Sequence, residues 1–62
     1  MDTEPDAYSI DEFCRRNSLS RQFLYVLWDR GEGPRFMRVG TRRLISREAA
    51  AAWRRKMEHE AR

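Results

Sequence analysis

Sixty-two residues with a net charge of +3 make one domain at most, with a core so small that marginal stability or help from a bound partner is expected. One cysteine, Cys14, and one histidine, His59, cannot build a disulfide or a metal site within one chain. With no Gly-rich phosphate loop, nucleophile-and-base pairing or ligand cluster, neither an enzyme, a metal, a cofactor nor a small-molecule substrate is expected. The sequence carries no basic-then-apolar leader and no apolar run near the roughly 20 residues of a membrane span, so no membrane association and a cytoplasmic location are expected.

In chain order, residues 1–7 hold Pro5 and three acids without periodicity and read as a flexible acidic lead-in. Structure is expected from Tyr8. Ser9 with Glu12 three residues on predicts a capping box, in which the hydroxyl accepts a backbone N–H and the carboxylate reaches back. A first helix of about Ile10 to Arg16 follows, its buried stripe supplied by Ile10, Phe13 and Cys14. Cys14 reads as a small core residue in preference to a reactive thiol.

Asn17 and Ser18 break that helix, Leu19 can plug the gap, and Ser20 caps a second helix of about Arg21 to Arg30, which Gly31 stops. Two short capped helices with a tight turn between them make the helix-turn-helix pattern, which many helical hairpins share. On the second helix, Leu24, Leu27 and Trp28 share the core side, and Phe23 at its edge is expected to be partly buried. Gln22, Tyr25, Val26 and Asp29 share the other side, with Arg21 flanking them.

After Gly31 to Pro34, the strand candidates Phe36 to Val39 and Arg42 to Ile45 are separated by Gly40-Thr41, a two-residue turn with glycine first, as type II′ requires. Arg35, Arg38, Arg42 and Arg43 decorate this ribbon, whose tip can follow a phosphate backbone or enter a minor groove. Ser46 caps a third helix from Arg47 to about Glu58, with Ala49, Ala50, Trp53 and Met57 on its apolar side. Trp53 is expected to close a core of Ile10, Phe13, Leu24, Leu27, Val39 and Ile45, and Phe36 reads as core too. Fraying is expected from Arg54 onward, residues 59–62 form a charged tail, and His59 has no assigned role. The domain is thus expected over 8–58, mainly α with a small β-hairpin, in the order helix, helix, hairpin, helix.

Charge is unevenly spread along this order. The first twelve residues hold five acids and no base, whereas residues 13–57 hold twelve bases, eleven of them Arg, against three acids. The planar arginine fork suits phosphates and base edges, which points to nucleic acid, although a solvated basic face would look the same.

Between Tyr8 and Trp53 the sequence resembles the excisionase-like, MerR-related winged helix-turn-helix proteins of phages and mobile elements. The resemblance rests on Ser9-Ile10-Asp11-Glu12-Phe13, Leu19-Ser20-Arg21 with Leu24-Tyr25 ahead of Arg30-Gly31, and Pro34 shortly after. The hairpin Arg38-Val39-Gly40-Thr41-Arg42-Arg43 and Ile45-Ser46-Arg47-Glu48-Ala49 leading to Trp53 complete it. It implies a small bacterial, nucleoid-associated, non-catalytic binder of double-stranded DNA, with the second helix in the major groove and the hairpin as a wing on the adjacent minor groove or backbone. Such proteins act as recombination directionality factors that bind repeated sites, often with other copies of themselves and with DNA bending, and assist an integrase in excision; others regulate transcription.

By position, the recognition-helix residues would be Arg21, Gln22, Tyr25, Val26 and Asp29. Wing and phosphate contacts would fall on Arg38, Thr41, Arg42, Arg43 and Arg47. Val26 and Asp29 depart from the basic or polar residues expected at their positions. Asp29 can accept from a cytosine amine or pair with a neighbouring Arg, the pairing being the favoured reading. Tyr25 can meet a thymine methyl or a phosphate, or rest half-buried beside Trp28. Two other classes remain: a protein-interaction adaptor docking through its third helix or acidic start, and a single-stranded RNA binder, for which exposed strand aromatics are wanting.

Overall fold

The computed structural model describes residues 5–60, so the expectations for residues 1–4 and 61–62 lie outside it. The elements are β1 (Ala7–Ser9), α1 (Ile10–Arg16), α2 (Arg21–Asp29), β2 (Met37–Val39), β3 (Arg42–Ser46) and α3 (Arg47–Glu60). The chain is mainly helical, and its strands form one antiparallel sheet in the order β1-β3-β2.

Strand β1 corrects the expected lead-in: Ala7 lies opposite Ser46 and Tyr8 opposite Ile45, and the Arg47 N–H donates to the Asp6 carbonyl at 2.9 Å. A three-residue strand has too little length for a periodic signal, so only its pairing with β3 defines it. Ser9 ends β1 and caps α1, its hydroxyl accepting from the Glu12 N–H at 3.1 Å. The reciprocal half of the capping box is replaced. The Glu12 carboxylate accepts from Arg15 at 2.6 Å and Arg16 at 2.7 Å, charge-assisted bonds stronger than one to a neutral amide.

Helix α1 ends where Ser18 takes a left-handed φ of 59°, with the Leu19 N–H donating to the Cys14 carbonyl at 2.9 Å. Helix α2 ends in the same way: Gly31 has φ 75°, and the Glu32 N–H donates to the Leu27 carbonyl at 2.8 Å. Both are Schellman closures, which satisfy last-turn carbonyls and reverse the chain sharply. The Ser20 hydroxyl accepts from the Phe23 N–H at 3.0 Å, so α1 and α2 meet at a tight, doubly anchored corner. Arg30 is the C-cap of α2 and not its last helical residue.

Val39 pairs with Arg42 across Gly40-Thr41, and the positive φ of 63° falls on Gly40 and not on Thr41, as a type II′ turn requires. Strand β2 starts at Met37, one residue later than expected, and β3 runs one residue further, through Ser46. The Ser46 hydroxyl then accepts from the Ala49 N–H at 3.0 Å to start α3. That helix continues to Glu60, so Arg54 to Glu60 are helical and the boundary expected at Glu58 moves outward.

Phe13, Leu24 and Ile45 are fully buried, with Tyr8, Ile10, Cys14 and Ala50 around them and Leu19, Trp28, Ala49 and Trp53 packed against the cluster. Leu27 is buried as well. Each large side chain removed from water here contributes about 1.5–3 kcal/mol. Trp53 closes this core edge-on to Phe13, with ring centroids 5.4 Å apart. Burial pushes the Cys14 thiol up from its ordinary range, which suits an inert core residue.

Val39 and Phe36 do not belong to the core. Val39 pairs with Arg42, on the sheet face opposite Ile45, and is 53% exposed, while Phe36 lies ahead of β2 and is exposed. Phe23, expected partly buried, is 45% exposed. No described helix is long and apolar enough to cross a membrane.

Candidate nucleic-acid interface

The link from α2 to the hairpin is fixed by both tryptophans. The Trp28 Nε1–H donates to the Pro34 carbonyl at 2.8 Å, and the Trp53 Nε1–H donates to the Glu32 carbonyl at 2.9 Å. Gly33 lies against the Trp28 indole so closely that a Cβ there would stand 2.3 Å from Cδ1. Two indole anchors therefore hold the seven-residue connection from Arg30 to Phe36, and with it the hairpin, beside α2. That placement follows from packing, because the connecting residues have no regular structure to set a direction.

Between α2, the start of α1 and the hairpin lies a groove of about 350 Å³ lined by Arg21, Tyr25, Arg38, Thr41, Arg42 and Arg43, with Ser9, Ile10 and Asp11 completing its wall. Six of the ten residues expected to contact a partner thus line one concavity, although they come from two elements separated by the Gly31 to Pro34 turn. Gln22, Val26 and Asp29 lie outside it, exposed on the neighbouring outward side of α2.

The charges in the groove are not all free. Arg21 Nη1 donates to Asp11 Oδ1 at 2.5 Å, and this bond raises the already high pKa of the guanidinium. In the sequence Asp11 is one of five acids in the first twelve residues; its role in holding Arg21 depends on the corner between α1 and α2. Arg43 is half-buried and faces the Tyr25, Trp28 and Phe36 rings. Tyr25 meets Trp28 edge-on at 5.3 Å and still exposes over a third of its surface, so the half-buried position and access to the groove coexist. Phe36, a core residue by the sequence reading, belongs instead to this exposed aromatic cluster.

Arg47 is brought elsewhere. It lines a separate concavity of about 400 Å³ with Tyr8, Arg16, Asn17 and Arg54, and its guanidinium approaches Asp6 at 3.8 Å. Its position at the start of α3, bonded to Asp6 just ahead of β1, directs it away from α2 and the hairpin. The ion pair expected for Asp29 is absent among the described residues: Arg30, the nearest base in sequence, approaches Glu32 at 3.8 Å instead.

Among the described residues no group of His, Cys, Asp and Glu is placed to hold a metal ion. The arrangement offers a basic concavity beside a helix face of mixed polarity, suited to binding an extended anion together with its uncharged edges. No known protein family, curated protein or solved structure matches the chain.

Proposed function

We propose that this chain is a winged helix-turn-helix domain that binds double-stranded DNA sequence-specifically and serves as an excision factor, a recombination directionality factor working beside an integrase. One observation carries the DNA reading: hairpin residues Arg38, Thr41 and Arg42 share a groove with Arg21 and Tyr25 of α2, next to the exposed Gln22, Val26 and Asp29. A nine-residue helix is about 13 Å long, commensurate with a major groove about 12 Å wide. In this reading Arg38 and Arg42 bind phosphates, Arg21 joins them when a phosphate displaces Asp11, and Thr41 follows the adjacent backbone. Gln22 reads a base edge, Val26 offers an apolar contact to a thymine methyl, and the unpaired Asp29 accepts from a cytosine amine. The excision role rests on the sequence resemblance; transcriptional regulation by the same DNA contacts is the alternative output.

Fluorescence anisotropy with a labelled duplex, repeated across salt concentrations, tests the DNA reading. Neutralisation of about three to five phosphates makes log K fall against log salt with a slope near −3 to −5; a slope near zero rejects it. Arg42→Ala should weaken binding on most sequences, and Gln22→Ala should relax base preference. Equal losses on specific and random duplex for both variants would reject the assigned roles. On duplexes with repeated sites, steep laddering in a gel shift is the expected mark of copies binding side by side.

A further inference from the structure

Arg43 has the composition of a phosphate contact and the surroundings of something else. Its guanidinium carbon stands 4.6 Å from the centroid of Phe36, 4.9 Å from Trp28 and 5.4 Å from Tyr25. All three distances fall within the roughly 6 Å at which a cation is drawn to an aromatic face. The rings also touch one another, Tyr25 to Trp28 at 5.3 Å and Trp28 to Phe36 at 4.9 Å. Tyr25 and Trp28 belong to α2, Phe36 precedes β2, and Arg43 belongs to β3. One cation therefore joins the helix to both sides of the hairpin. Arg38 lies directly opposite Arg43 in the sheet, where two like charges on one face repel. Drawing the Arg43 charge towards the rings relieves that repulsion, while both side chains still line the groove.

We propose that Arg43 is a positioning residue and not a phosphate ligand: it latches the hairpin to α2 and so sets the separation between Arg42 and the outward face of the helix. The inference rests on the duplex-DNA reading for its functional consequence, and its geometry stands apart from that reading. A guanidinium committed to aromatic faces displaces no counterion from DNA. It therefore adds nothing to a salt slope in which each phosphate contact counts about 0.9.

The test is Kd against salt for the wild type, Arg43→Ala, Arg43→Met and Arg42→Ala on one specific duplex. Arg43→Ala is expected to raise Kd about tenfold, because contacts held too loosely lose their joint geometry. Arg43→Met, which refills the aromatic site without charge and supplies the measurement if the alanine variant does not fold, should raise it less. Both should keep the wild-type slope, whereas Arg42→Ala flattens it by about 0.9. A comparable flattening in either Arg43 variant makes Arg43 a phosphate ligand and overturns the proposal, as does wild-type affinity in Arg43→Ala. Phe36→Leu combined with Arg43→Met should change Kd non-additively; additive effects overturn the latch. If the wild type shows no salt-dependent duplex binding, the DNA reading fails separately. The latch is then decided by proton NMR of the free protein, where ring currents should shift the Arg43 side-chain protons upfield and random-coil positions reject it.

Discussion

The two sides of this small domain treat apolar surface in opposite ways. Where α1, β3 and α3 meet, Phe13, Ile45 and Ala50 are fully buried, and every buried side-chain polar atom among the described residues has a partner. Along α2 and the hairpin, Phe23, Tyr25, Val26, Phe36, Met37 and Val39 all remain exposed. Every exposed large apolar side chain among the described residues therefore falls between positions 23 and 39, in the stretch that also carries Arg38. Scattered exposed apolar residues need no explanation, but their confinement to one stretch of a chain with so little core to spare does. The closed side maintains the fold, and the open side keeps contact surface available.

The largest expected effect tests that division directly. Phe13→Ala removes a fully buried ring and its edge contact with Trp53, a change that costs about 3–5 kcal/mol and should leave a domain of this size largely unfolded in a urea or thermal melt. Phe23→Ala, the same chemical change on the open side, should shift stability by about 0.5 kcal/mol or less. Comparable losses would dissolve the distinction. Gly33→Ala comes next, because its Cβ would collide with the Trp28 indole at the junction between the two sides. Displacing Trp28 should cost about 1–3 kcal/mol in chemical denaturation and should weaken duplex binding beyond what the stability loss explains.

A smaller effect belongs to the open side alone. Asp11 holds Arg21 inside the groove and presents the same sign of charge as a phosphate. Asp11→Asn should tighten duplex binding a few-fold and steepen the salt slope by about 0.9 as Arg21 becomes available. Unchanged binding would mean that Arg21 takes no part. The pair is well exposed, so the melting temperature should change little.

The local elements of both sides were largely legible in the sequence. Ser9, Ser20 and Ser46 each marked a helix start, Gly31 marked a stop, and Gly40-Thr41 marked the turn, because capping and turn chemistry act within a few residues. Strand β1 was hidden because its definition is a partner 39 residues away, Ser46 opposite Ala7. The groove was half legible. Periodicity separated the two sides of α2, and the hairpin arginines announced themselves. Periodicity could not show that Arg43 turns to a ring cluster or that Arg47 belongs to another concavity, whereas the two-residue turn pairs Val39 with Arg42 and by alternation already puts Val39 on the face opposite Ile45. The Arg43 outcome depends on how the Trp28 and Trp53 indoles fix a connection that carries no pattern of its own, and the Arg47 outcome on the pairing of the start of α3 with Asp6.

The smallest expected effect separates two adjacent carboxylates, Asp11 on the groove and Glu12 on the closed side. Hydrogen bonds from Arg15 and then Arg16 hold the Glu12 carboxyl below its ordinary range, so the fold favours its ionised form. A lowered folded-state pKa stabilises the fold fully above the unfolded value of about 4.3, and the contribution fades as pH falls through the folded value. Wild-type melting temperature should therefore drop more steeply than that of Glu12→Gln as pH falls from 5 to 3, with the wild type slightly more stable at pH 7. Other carboxylates titrate in both proteins, so only the difference between the two curves reports Glu12. Duplex affinity at pH 7 should be the same for both, since Glu12 does not line the groove. Parallel melting curves would show that the two arginine contacts add nothing in water, and a change in affinity would place Glu12 on the wrong side of the division.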